Sequence, residues 1–174
     1  YPFFMNLVCI ATSYIYSTPP LRLKRIPIIS SFLISVACLS TILAGFFFVS
    51  LDKTIQAFPI LLSMGILIVF TLATNIRDMK DIEGDSAEGI LTLPVLFEKN
   101  GPRVVGLSLA LSFLLVPVFL SIHTLYIIAV PTAFIGYKLV TQKPYREKFV
   151  FILYFIFIFS ILILIFGTPW LVNT

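Results

Sequence analysis

Charge is scarce in this chain. Only 11% of its 174 residues are Asp, Glu, Lys or Arg, less than half the share of about 25% found in an ordinary soluble domain. The apolar residues that take their place come in long unbroken runs, which excludes a water-soluble globule. Histidine occurs once and cysteine twice. Cys9 and Cys38 lie inside apolar runs, so they suggest packing rather than a disulfide framework or a zinc site. Tyr1 opens in the middle of a hydrophobic run, without the basic n-region and cleavage site of a signal peptide. No internal repeat or low-complexity linker interrupts the chain. The expectation is a single membrane domain over residues 1–174, the C-terminal portion of a longer protein.

Six apolar segments are long enough, or nearly so, to cross a hydrocarbon core of about 30 Å. They run Tyr1–Tyr16, Ile26–Ser50, Ile55–Thr74, Val104–Ile122, Thr124–Val140 and Phe149–Phe166. Lipid offers backbone groups no partner, so such segments must be helices. The alternation of a barrel strand is missing. The fold class is therefore all-α, a polytopic bundle of membrane helices. Pro59, Pro117 and Pro131 are expected to kink their helices. His123 sits in a short turn between two spans, where a structural role is expected.

The loops between these segments distribute charge unevenly. One side receives Arg22, Lys24, Arg25, Arg77, Lys80, Lys99, Arg103, Lys138, Lys143, Arg146 and Lys148, and the other receives only Lys53. By the positive-inside rule, the first side is cytoplasmic.

Two stretches on that side carry the chemistry. "NIRDMKDIEGDSAEG" holds five of the eight acidic residues: Asp78, Asp81, Glu83, Asp85 and Glu88. If the third helix continues past Thr74, then Asp78, Asp81 and Asp85 share an arc of about 60°, with Asn75 on the same side and Glu83 about 140° away. Carboxylates about 5–6 Å apart repel by roughly 3 kcal/mol at an effective dielectric near 20. A divalent cation would turn that repulsion into binding, and Mg2+ prefers carboxylates supplemented by water and phosphate oxygens. The alternative is a solvated helix end with Arg77–Asp81 and Lys80–Glu83 pairs. Gly84 and Gly89 are expected to end or bend the helix.

The other stretch, "YSTPPLRLKR", stops the first helix at Pro19 and Pro20 and then presents Arg22 and Lys24. These cations suit either anionic lipid headgroups or a diphosphate. Their pairing with an acidic, metal-ready segment is the equipment for activating a diphosphate leaving group.

The two motifs in this order closely resemble those of the UbiA-type intramembrane prenyltransferases. Their second aspartate motif, D-x-x-D-x-x-x-D, is filled by Asp78, Asp81 and Asp85, followed by "TLPV". The resemblance spans essentially the whole chain, as the last six of the family's nine helices. It implies that Asp78, Asp81 and Asp85 are catalytic and hold Mg2+, and that Tyr16, Ser17, Arg22, Lys24, Asn75 and Arg77 contact substrate. It also implies an isoprenoid diphosphate and an aromatic or hydroxyl acceptor as partners, within the bilayer and without nucleic acid. The family's first aspartate motif, N-x-x-x-D-x-x-x-D, has no match here, so half of the metal site is expected. A transporter or channel is the alternative class, but it calls for ionisable residues at mid-membrane, and charge here is confined to segment ends. The longer D-G-x-x-A-R pattern of CDP-alcohol phosphotransferases is absent. A catalytically inactive membrane remnant is a further alternative.

The charge asymmetry makes a testable topology. An introduced Ser86→Cys should resist membrane-impermeant thiol reagents added outside intact cells and react once the cells are opened. Labelling from outside would invert the topology.

Overall fold

The apolar runs fold as expected into helices. The computed structural model describes residues 1–52 and 54–167, so Lys53 and the C-terminus, both expected on the far side, lie outside the described residues. The helices are α1 (Pro2–Ser17), α2 (Ile29–Val49), α3 (Ile60–Ala73), α4 (Ile82–Ala87), α5 (Leu93–Leu96), α6 (Gly101–Leu120), α7 (Tyr126–Thr141) and α8 (Glu147–Gly167). Five segments are long and apolar enough to cross a membrane: Ile29–Val49, Ile60–Met79, Glu98–Leu120, His123–Thr141 and Glu147–Gly167. Together they make this a multi-pass integral membrane protein. The remaining long helix, α1, has 16 residues, about 24 Å of rise.

The layout follows chain order. α1 packs on α2, α2 on α3, α3 on α6, α6 on α7 and α7 on α8. The main core lies between α6, α7 and α8, where Val105, Leu109 and Phe113 meet Ala129, Ala133, Val140, Val150, Leu153 and Phe157. Lipid is as apolar as leucine, so helices associate through close packing and hydrogen bonds rather than through expulsion of water. The burial pattern follows that physics. Ser31, Ser35, Ser112 and Thr132 are buried, while Phe3, Phe48, Phe134 and Phe155 point outward.

Two expectations need correction. Pro59 does not kink a helix but caps the start of α3 in an extended conformation, whereas Pro117 and Pro131 do lie inside α6 and α7. The third helix does not run on as an α-helix either. It tightens into a 3₁₀ turn over Thr74–Met79, breaks at Asp81 (φ −108°, ψ 13°), and restarts as α4. The cause is local. The Asn75 amide donates to the carbonyls of Thr71 (2.8 Å) and Leu72 (3.2 Å), and Ser108 donates to the same Leu72 carbonyl (2.8 Å). Side chains that claim carbonyls in this way compete with the α-helical ladder. A 3₁₀ turn has three residues per turn, which suits apolar anchors at Ile76, Met79 and Ile82; the first two are buried in the core. Gly84 lies within α4, and Gly89, at φ +67°, ends the segment.

Close approach at two glycines locks the bundle. A Cβ on Gly65 of α3 would stand 2.6 Å from the Cβ and Cγ of Phe119 on α6, and one on Gly101 would overlap the Pro94 backbone. Gly45 has open space around it. Gly65→Ala should therefore destabilise the bundle by about 1–3 kcal/mol. Gly45→Ala should be neutral or stabilise it by up to about 1 kcal/mol. Thermal unfolding in detergent compares the two, and equal effects would contradict the packing.

Candidate functional site

The polar end of the bundle gathers where α1 ends, α3 tightens and α4 begins. Apolar anchors fix the acidic segment on the core, so its charged residues are presented between buried ones. Ile76, Met79, Ile90 and Leu93 are all buried. Between them Asp78 is buried as well, its side chain 11% exposed, with the Arg77 Nε 3.5 Å from its Oδ1. Arg77 also reaches across to α1. One of its terminal nitrogens donates to the Tyr16 hydroxyl at 3.0 Å, and its guanidinium lies 5.8 Å from the centre of the Tyr16 ring.

Asn75 is buried one turn before. Its Oδ1 accepts a 2.9 Å hydrogen bond from Ser31 of α2, while its amide holds the end of α3. One turn further into the membrane, the hydroxyls of Ser35 and Thr71 meet at 2.9 Å. A polar seam thus ties α2 to the base of the acidic segment.

The three aspartates occupy different environments. Asp78 is buried, Asp85 is half-buried and Asp81 is exposed. Both Asp85 and Asp81 lie within electrostatic reach of Asp78, and Asp85 acts on it more strongly. The break at Asp81 accounts for this order: it turns Asp81 outward, while the new helix brings Asp85 back. The continuous-helix geometry is therefore corrected. Glu83 remains exposed, apart from the half-buried Asp85. The helix-end pairs Arg77–Asp81 and Lys80–Glu83 do not form. Arg77 instead pairs with Asp78, and Lys80 Nζ lies 3.7 Å from Glu147 Oε2 on α8.

Tyr16 and Ser17 line a groove of about 600 Å³ between α1 and α2, to which Phe70 of α3 also contributes. That size lies within the range of about 300–1,000 Å³ typical of small-molecule sites. Its walls include Thr12, Leu33, Ile34 and Ala37, and both cysteines line it rather than pack in a core. The Ser17 hydroxyl donates back to the Ser13 carbonyl at 3.0 Å. Arg22, in a left-handed conformation (φ 39°), starts the 3₁₀ turn Leu23–Arg25 that carries Lys24. Among the described residues, neither Arg22 nor Lys24 forms an ion pair with an aspartate.

Tyr16 lines the groove and also accepts the Arg77 hydrogen bond, so one residue links the apolar groove to the acidic segment. The profile of the UbiA prenyltransferase family matches residues 1–161. The chain belongs to the UbiA prenyltransferase family. Prenyl transfer within a membrane, from an isoprenoid diphosphate to an acceptor, is the activity that membership carries. Searches of curated proteins and of solved structures matched nothing.

For this UbiA chain the metal question turns on the donor set. Among the described residues no three His, Cys, Asp or Glu side chains are close enough together to hold a metal ion. Mg2+, however, usually binds through one or two carboxylates and completes its shell with water and substrate phosphates. Asp78 and Asp85 fit that second mode and do not form a closed protein cage. Thr74 and Thr92 on the same segment bury hydroxyls that have no protein partner among the described residues. Sequence reasoning missed Ser31, Ser35 and Ser108. Their signal was available as hydroxyls at helical spacing inside greasy runs.

The seam can be measured. A double-mutant cycle on Ser31→Ala and Asn75→Ala should give a coupling of about 0.6–1.7 kcal/mol, the range found for interhelical hydrogen bonds in membranes. Additive effects would mean that the pair does not act together.

Proposed function

We propose that this chain transfers a prenyl group from an isoprenoid diphosphate to the ring or hydroxyl of a quinone or lipid precursor, with Mg2+ at the acidic segment. The observation that carries the reading is the Arg77 bridge, which joins a buried carboxylate to Tyr16 in the lining of an apolar groove. A ligand suited to both ends has an anionic head and a hydrocarbon tail. In this reading the acidic segment faces the cytoplasm, in keeping with the basic loops.

Asp78, Asp81 and Asp85 are the proposed carboxylate donors. When bound, Mg2+ would neutralise charge that builds on the departing diphosphate. Arg22 and Lys24 would hold phosphate oxygens, Arg by a bidentate fork and Lys as a point charge. Arg77 keeps Asp78 in place and ties it to Tyr16 in the groove lining. Asn75 holds the turn from beneath. The C–O bond of the allylic diphosphate breaks, the diphosphate leaves with the electron pair, and the acceptor attacks the allylic cation and then loses a proton. Groove walls of Leu33, Ile34 and Ala37 keep water from capturing the cation first.

In the intact protein, Asp81→Asn or Asp85→Asn should cost at least about 10²-fold in rate, the scale of losing one key electrostatic contact. Glu83, which is not one of the proposed carboxylate donors, should stay within several-fold of the parent when replaced by Gln. The assay is prenyl transfer from an allylic diphosphate over a Mg2+ titration, with membrane levels matched. Aspartate variants with full activity and unchanged Mg2+ dependence would reduce the segment to a solvated helix end.

A further inference from the structure

The acidic segment is gripped from a second side, by a part of the chain that the reading above does not use. The loop over residues 142–146 joins α7 to α8, which begins at Glu147. From it the Tyr145 hydroxyl donates at 3.3 Å to the carbonyl of Ile76, in the middle of the 3₁₀ turn and 69 residues away. Two residues on, Glu147 pairs with Lys80 at the point where that turn gives way to the break at Asp81.

We propose that this loop, with the first residue of α8, is a positioning strap for the acidic segment, with Tyr145 holding the 3₁₀ turn and Glu147 holding its exit. The inference rests on the prenyl-transfer reading for its consequence, though not for its geometry.

Three features support the assignment. First, the Tyr145 ring packs against the main core, so its hydroxyl is presented from a fixed base. Burial and the Glu147 carboxylate push the phenol up to about 12, so it remains a hydrogen-bond donor at any physiological pH. Second, Ile76 lies between Asn75 and Arg77, the residues that set the turn and pair with Asp78. A donor on the Ile76 carbonyl therefore acts on the carboxylate through two peptide units. Third, the turn needs an outside hold. A 3₁₀ turn has poorer hydrogen-bond geometry than an α-helix, and loading cation and diphosphate on Asp78, Asp81 and Asp85 would pull on it. Tyr145 is thus a positioning residue and touches no reacting atom.

The test uses the intact protein in lipid nanodiscs, with Tyr145→Phe removing one hydroxyl and keeping the ring. Hydrogen–deuterium exchange should accelerate over residues 74–85 and stay unchanged in α6 and α7. The Mg2+ concentration for half-maximal prenyl transfer should rise by about tenfold, the lower end for removing a group that orients a metal ligand. The thermal shift produced by Mg2+ with inorganic diphosphate should shrink as well. Tyr154→Phe, the same change on α8 against Phe113, should leave all three readouts unchanged. Lys80→Glu and Glu147→Lys should each loosen residues 74–85, and the combined charge exchange should restore their protection. Unchanged exchange over 74–85 in Tyr145→Phe overturns the strap, as does acceleration spread evenly across α6 to α8. The aspartate variants separate the two ideas. If they leave Mg2+ dependence unchanged, the prenyl-transfer reading falls, while the exchange data still decide the strap.

Discussion

In hydrocarbon an amide or hydroxyl left without a partner is costly, and at the polar end of this bundle Asn75 supplies several of the partners. One side chain accepts from Ser31 and donates to two carbonyls of α3. By claiming those carbonyls it converts the last turns of the helix from α to 3₁₀ geometry. The tighter turn buries Ile76 and Met79 and sets Asp78 beside Arg77. Without it α3 could continue as an α-helix, and its carboxylates would emerge along one exposed stripe.

The result is an end that is held on several sides. Ser31 ties it to α2, the Arg77–Tyr16 hydrogen bond ties it to α1, and Ser108 ties it to α6. Tyr145 and Glu147 add contacts from the α7–α8 loop and the start of α8. Each tie is a hydrogen bond or an ion pair at the boundary of the apolar region, where competition from water is reduced. A groove with apolar walls then opens beside one of the ties, at Tyr16. The molecule offers hydrocarbon contact along the groove, and Tyr16 connects that lining to the Arg77–Asp78 pair.

Below that end the packing obeys different rules. The helices gain little from hiding apolar surface from lipid, so they approach through small residues. Gly65 admits the base of Phe119, and Gly101 admits the backbone of Pro94. The second contact gives the "TLPV" stretch a physical purpose. Its buried proline fills the space against the start of α6 and so fixes where the acidic segment ends. The outward-facing phenylalanines carry no such constraint and are free to meet acyl chains.

The helices were legible because their cause is local: a run of some twenty apolar residues has no structure but a helix open to it in lipid. The family was legible for a related reason, since Asp78, Asp81 and Asp85 keep a fixed spacing whatever their neighbours do. The shape of the site was not legible. A spacing of three and four reads as one face of an α-helix, and only the Asn75 side chain, engaged with Ser31 from another helix, turns it into a 3₁₀ turn followed by a break. The same period of three was written in Ile76, Met79 and Ile82, but apolar spacing at a helix end is ambiguous until the core that receives it exists. Ion-pair partners were hidden for the same reason. Lys80 was a neighbour of Glu83 in sequence and became a partner of Glu147 in space. Composition determined that this is a helical membrane bundle with an acidic segment, and the motifs carried its resemblance to the UbiA family, which the family match then showed. Tertiary contacts decided which carboxylate is buried, which arginine faces it and what holds the turn, because those depend on side chains that meet from helices dozens of residues apart.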